Sequence, residues 1–361
     1  MAGALLAPAS AAYDENPGST WIPSGPVYAM AQYGNRIYLG GSFQNLRNPA
    51  NGQRTNRQAL AAVDATTGEL IASWNPGANA RVRALAVGPD GTVYAGGDFT
   101  TAAGQSAVRI AAIDPNGNAV PGWDASANNT VRDIWANGSG VYIAGNFGNV
   151  SGVSRPGLAR LSAANGDVDA AFNANVSGRV RALTPSPDGQ TLIVGGSFQR
   201  LSGATRVFAG SVDLASGDVT GWTPPRVCDS CALLDLATGD GRVYAAVGGG
   251  GGGRAAAWDL SSGARRWITH ADGDVQAVAY YDGVLYAGGH YGPNIGSGTR
   301  HQLAALNATS GGLLGFSVPF NGNDHPGTWA LIANASKLHV GGGFRGMAGS
   351  PAQRYAAFPT T

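Results

Sequence analysis

Val93-Tyr94-Ala95-Gly96-Gly97-Asp98-Phe99, followed by Arg109-Ile110-Ala111-Ala112-Ile113-Asp114 and closed by Gly122-Trp123, is one unit of a pattern that recurs from Val27 to the end of the chain. An Ile/Val-Tyr strand ends in Gly-Gly-x-Phe. A loop, an Ala-rich strand, an Asp-x-x-x-Gly turn and a strand with Trp or Phe follow. Other copies of the Gly-Gly-x-Phe element are Gly40-Gly41-Ser42-Phe43, Ala144-Gly145-Asn146-Phe147, Gly195-Gly196-Ser197-Phe198, Gly288-Gly289-His290-Tyr291 and Gly341-Gly342-Gly343-Phe344. A further copy is degraded at Ala246-Val247-Gly248, where the run Gly248 to Gly253 replaces the usual loop. Paired glycines suit crowded backbones near an axis, and the aromatic after them suits a plug between neighbouring sheets. Turns such as Pro89-Asp90-Gly91 and Pro187-Asp188-Gly189 supply the left-handed position a hairpin needs.

The aromatic of the fourth strand gives a second count through Trp74, Trp123, Phe172, Trp222, Trp267 and Phe316, about 50 residues apart. The last unit ends at its third strand, Tyr355-Ala356-Ala357-Phe358, while Ser19-Thr20-Trp21-Ile22-Pro23 stands as an orphan fourth strand at the other end. Pairing the two completes the last sheet and removes the open edge. The expected fold is therefore all-β: a seven-bladed β-propeller of four-stranded antiparallel blades, one domain over residues 13–361, closed by an N-terminal strand. The degraded fifth blade is expected to have the least regular geometry.

With these residues in view, Val93-Tyr94-Ala95-Gly96-Gly97-Asp98-Phe99, the Ala-Ala-Ile-Asp strand and Gly-Trp resemble the delta-60 repeat of bacterial β-propellers, and are similar to kelch repeats in the double Gly with a spaced Trp. The likeness covers Val27 to Pro359; the Gly-His and Trp-Asp marks of WD40 repeats do not recur. It implies a propeller in an exported, often multidomain, bacterial protein, with further domains expected after Thr361. No catalytic motif is implied, so the fold transfers and the function does not.

With 57 Gly in 361 residues, 12% charged residues and a formal net charge of +1, the chain is turn-rich and globular, without an overall field for nucleic acid or anionic membrane. No apolar run is long enough to span a bilayer. Met1 to Ala12, with Ala4-Leu5-Leu6-Ala7 before Pro8-Ala9-Ser10-Ala11-Ala12, reads as the tail of a signal peptide, giving a secreted or cell-surface expectation. Cys228 and Cys231, the only cysteines, then read as a structural disulfide.

In a propeller the connections from second to third strand and from blade to blade share one face, where ligands bind. Arg83, Arg132 and Arg181 each follow the Val opening a first strand, with Tyr28, Gln276 and Trp329 in that place elsewhere. These six are the expected ligand-binding residues: three guanidiniums at the mouth suit a carboxylate, sulfate or phosphate. A second group collects around the sixth blade. His270, His290, His301 and His325, with Asp272, Asp274 and Asp324, are candidate ligands for a divalent metal, and His290, His301 and Tyr291 are candidate proton-transfer groups. His339 reads as a packed strand residue. An arginine before every third strand, at Arg57, Arg109, Arg155, Arg206, Arg254, Arg300 and Arg354, reads as architecture through inter-blade hydrogen bonds. No nucleophile elbow, phosphate loop or His-Glu-x-x-His is present. The leading expectation is a non-catalytic module binding an extracellular glycan or protein, exposed aromatics such as Tyr33 or Tyr291 being able to stack on sugars. The alternative is a lyase or hydrolase acting on an acidic glycan.

Overall fold

A computed structural model describes residues 13–320, 327–347 and 349–361; the expected leader at 1–12 and the candidate ligands Asp324 and His325 lie outside them. Among the described residues all regular structure is β, and seven antiparallel sheets share one plan. A first strand is followed by a second that ends at the Gly pair and then by a third. In the first sheet these are Val27–Tyr33, Arg36–Gly41 and Leu60–Asp64. The first strands of the next five are Val82–Val87, Val131–Asn137, Ser177–Pro185, Cys231–Gly239 and Val275–Tyr281; the last sheet holds Thr328–Ala333, Lys337–Gly342 and Tyr355–Pro359.

The Gly pair has two separate duties. A Cβ on Gly40 would stand 2.7 Å from Val82 Cγ1 of the second sheet, and one on Gly96 would stand 2.6 Å from Val131 Cγ1 of the third. First glycines thus admit the opening residue of the next first strand; second glycines, such as Gly41 over the Pro26 carbonyl, lie against backbone. The aromatic after each pair, Phe43, Phe99, Phe147, Phe198, Tyr291 or Phe344, is buried. Truncating one to Ala costs about 3–5 kcal/mol.

Fourth strands depart from expectation. In the first four sheets and the sixth the fourth run meets the third strand through a single bridge, Val63 with Leu70, Ile113 with Ala119, Leu161 with Val168, Val212 with Val219 and Leu306 with Leu313. Pro121-Gly122, Gly221 and Gly315 interrupt several of these runs, removing ladder donors or side-chain packing. Among the described residues, only the fifth sheet, expected to be irregular, has a full fourth strand. Arg265–Ala271 carries no Gly or Pro and pairs along Gly253–Asp259 from Ala271 opposite Gly253 to Arg265 opposite Trp258. Its glycine run shortens the second connection to a tight hairpin, so Arg242–Gly249 and the third strand lie in continuous register.

The chain ends meet, through residues 13–18 just ahead of the expected Ser19–Pro23 strand. Asp14 N–H donates to Pro359 O and Gly18 N–H to Ala357 O, both at 2.8 Å, and Tyr13 bridges Thr360. Ile22–Pro23 pair instead with Leu46–Arg47 of the first sheet's connecting hairpin. Gly18 stands three residues before Trp21 as Ile71 stands three before Trp74, and Ile71 N–H likewise donates to Ala62 O at 2.9 Å, so the N-terminal run meets the last sheet in the register of the first sheet's own fourth run. The Trp21 indole Nε1 donates to Glu69 Oε2 at 2.8 Å, as the Trp74 indole donates to Asp114 O at 3.3 Å; each reaches the turn after the third strand of the following sheet. A Cβ on Gly341 would stand 2.8 Å from Val27 Cγ1, the approach that relates Gly40 to Val82.

Candidate binding site

Every first strand carries a β-bulge, the register shifting between Val27 and Ala29, Val82 and Ala84, Val131 and Asp133, Val180 and Ala182, Leu233 and Asp235, Val275 and Ala277, and Thr328 and Ala330. A bulge leaves one residue unpaired and re-aims its side chain. The residues skipped are Tyr28, Arg83, Arg132, Arg181, Leu234, Gln276 and Trp329, and all seven line one cavity of about 510 Å3, with Ala232, Gly248, Gly249 and Asp274 completing the wall. The structure thus brings together the six residues singled out from the sequence. Leu234 and Asp274 complete the ring.

The arginines are not equivalent. Arg83 Nε lies 2.9 Å from Asp98 Oδ2, Arg81 stands 3.9 Å from the same oxygen, and Thr130 Oγ1 donates to Asp98 Oδ1 at 2.8 Å. These contacts outweigh burial and hold the Asp98 carboxyl below its ordinary range. Tyr28 stacks on Trp329 with centroids 4.8 Å apart, and carries Arg81 and Arg83 at 5.1 and 5.8 Å from its ring centre. Arg132 and Arg181 have no such counterpart. None of the ion pairs among the described residues includes either, and the Nε of each is buried without a partner. Burial, then Arg83 and Arg181, pull Arg132 down to about 10; burial and Arg179 lower Arg181 against the opposing pull of Asp274. Arg83, Arg132 and Arg181 thus line the cavity with Asp274 as the single acid in its wall, and Arg81 and Arg179 add positive charge beside them, in a chain whose net charge is only +1. Gln276 Oε1 is a further buried acceptor without a partner.

One residue beyond the bulge the third and fifth sheets carry Asp where the others carry Ala. Asp133 accepts from Leu183 N at 2.7 Å and Ile134 N at 2.8 Å; Asp235 accepts from Val278 N and Leu236 N, both at 2.9 Å. Each carboxyl therefore clips its own strand to the next sheet's first strand. Both keep some accessible surface, yet surrounding protein raises them, Asp133 to about 8 through burial and then Asp235, and Asp235 to about 7 through burial.

A family model described as a domain of unknown function (DUF5122) beta-propeller matches residues 88–119 and 140–172. Among solved structures the chain is similar to the WD40 beta propeller domain of Doa1, at 9% identity and TM-score 0.60 over 96% of this chain and 97% of that one. It is also similar to BamB from Moraxella catarrhalis, at 12% identity and TM-score 0.56 over 95% and 97%, and to the computationally designed Ika8 protein, at 13% and 0.57 over 95% and 100%. No curated protein matches. The chain folds as a β-propeller.

On this propeller the histidine group is dispersed in role. Tyr291 is fully buried with its hydroxyl donating to Ala287 O at 2.7 Å, which makes it the interblade plug that Phe provides elsewhere and withdraws it from proton transfer and sugar stacking. Asp272 accepts from Gly292 N, Asn294 N and Asn294 Nδ2, fixing the following loop. Among the described residues no three His, Cys, Asp or Glu side chains gather closely enough to hold a metal ion. His270 and His301 are exposed, and His290 Nε2 lies 4.0 Å from Asp274 Oδ2 at the cavity wall. His339 is fully buried at the position that Tyr38 and Tyr94 occupy in their strands; its Nδ1 meets Tyr355 Oη at 2.9 Å, and burial followed by Lys337 lowers it to about 4. Tyr33 is exposed, its hydroxyl donating to Pro89 O at 3.1 Å away from the cavity.

The repeated arginines divide into classes and mostly bind within their own sheets, not between them. Arg57, Arg155, Arg206 and Arg300 each reach a carbonyl of the fourth run, Ala72, Asp169 and Ala170, Thr220, and Leu314 respectively. Arg109 and Arg354 instead occupy the left-handed position just before the third strand, with φ of 71° and 62°, and reach Asp98 O and Pro23 O. Arg254 serves the glycine hairpin through Gly252 O and Gly251 O. Cys228 and Cys231 form a disulfide in the segment leading to the cavity wall at Ala232 and Leu234. No helix of the described residues is long and apolar enough to cross a membrane.

Proposed function

We propose that the seven sheets form a ring closed by the N-terminal segment, and that this exported propeller is a non-catalytic recognition module for an acidic glycan seated in the axial cavity. The observation that carries the reading is the pair Arg132 and Arg181, two guanidiniums lining one cavity, neither of them in an ion pair among the described residues. Unpaired charge in a partly desolvated site is costly, and a carboxylate or sulfate relieves it through charge-assisted hydrogen bonds. Trp329 offers an apolar ring surface, while Gln276 Oε1 and Asp274 can accept from sugar hydroxyls. Titration calorimetry with a uronate oligosaccharide and its methyl-esterified, uncharged form tests this. Binding of the acid alone is expected; equal binding of both forms, or of neither, overturns the reading.

The catalytic alternative keeps one observation, His290 beside Asp274 at the cavity wall. If uronate polymers yield an unsaturated product, and His290→Ala or His301→Ala abolishes it, the chain is a lyase and the binding-module reading fails.

A further inference from the structure

We propose that the same face holds a second anion subsite, at the seam between the last and first sheets, taking a further acidic sugar of the glycan chain that enters the axial cavity. This rests on the reading of that cavity as an acidic-glycan site. A cavity of about 260 Å3 lies at the seam, with Arg47, Arg54 and Arg354 in its wall alongside Ser24, Asn45 and Gln353, and no acidic residue lines it. None of the ion pairs among the described residues includes these arginines. Their hydrogen bonds go to neutral oxygens: Arg54 Nη1 to Asn45 Oδ1 at 3.5 Å, and Arg354 Nη1 to Pro23 O at 3.3 Å and Gln353 Oε1 at 3.4 Å. Burial and then Arg345 disfavour the Arg354 charge, so an arriving anion improves the electrostatics.

The location suits a polymer. The seam cavity is built from the connecting hairpin Asn45–Asn56, the end of the corresponding connection in the last sheet, and the link into the first strand. These belong to the face onto which the bulged residues open. Ser24 lines the seam and Tyr28 lines the axial cavity; they stand four positions apart in the chain, a span of at most about 14 Å when extended. Two basic cavities that close favour an oligomer with an anion on successive or alternate sugars over a lone monosaccharide, because the second contact forms at high effective concentration.

Calorimetry with a uronate dimer and a uronate decamer, on the intact chain and on a double R47Q/R54Q variant, tests the proposal. The intact chain should bind the decamer at least about tenfold more tightly than the dimer, and in the variant that gain should shrink to the few-fold statistical advantage of a longer chain, with dimer affinity unchanged. A decamer gain identical in both proteins overturns the seam site while leaving the axial site standing. Failure of the dimer to bind the intact chain removes the axial reading and the seam proposal together.

Discussion

The arginine-lined cavity has two arcs made by one backbone device. In the second, third and fourth sheets the bulged residue is Arg; from the fifth sheet round to the first it is Leu234, Gln276, Trp329 and Tyr28. The bulge is the same in all seven sheets, so the backbone decides where these side chains go and one position per sheet decides what the mouth can hold. Within the arginine arc a second contrast appears: Arg83 is engaged by Asp98, whereas Arg132 and Arg181 are not. A propeller can therefore keep its scaffold and change its ligand at seven sites, and partner acids then decide which of those sites are free to bind.

The arcs differ most in charge, so the largest effect should come from removing it. R132Q/R181Q should weaken uronate binding by about 100-fold or more, two charge-assisted contacts being worth about 1.5–3 kcal/mol each, and should flatten the salt dependence measured by calorimetry. Unchanged affinity would show that the arginine arc is not where the anion sits. Against this, Trp329→Ala in the opposite arc should cost about three- to tenfold for the glycan and nothing for inorganic sulfate, separating stacking from charge.

Beneath the arcs the contrast vanishes, since each has one clipping carboxyl. Asp133 and Asp235 are raised in the folded chain to about 8 and about 7, above the ordinary carboxyl range. Their contribution to stability is thus fully present at low pH and is lost as pH climbs toward those values, because the unfolded chain gives up its protons first. The melting temperature should fall between pH 5 and pH 8, and Asp133→Asn or Asp235→Asn should each flatten part of that fall; a profile insensitive to both would contradict the assignment. The smallest effect belongs to Arg83→Gln. With Asp98 already countering its charge, its cost in uronate affinity should be about threefold or less, and a loss as large as that of Arg132→Gln would erase the distinction within the arc.

Much of the scaffold was legible because a repeat states each requirement several times. Gly-Gly-x-Phe marks a crowded approach and a plug, and the residue after each opening Val marks the mouth even though nothing in its own chemistry predicts a bulge. Leu234 escaped notice because Leu233 replaces Val and the glycine run blurs the fifth copy. That same run points the other way on regularity: shortening a loop tightened the hairpin, and the third strand it delivers pairs along its length with Arg265–Ala271. Arg109 and Arg354 stand one residue before their third strands, where Arg57, Arg155, Arg206 and Arg300 stand three before theirs, and the left-handed backbone at Arg109 and Arg354 shows what that difference means. Tyr291 and Asp272 looked chemical because they are polar near histidines; burial and loop hydrogen bonds decide their roles, and neither is written in spacing.

A crystal structure of the chain with a uronate disaccharide tests the central claim most directly. The account predicts the carboxylate within hydrogen-bonding distance of both Arg132 and Arg181, with Trp329 and Gln276 against the sugar. A disaccharide bound elsewhere, with both guanidiniums left unengaged, would contradict it.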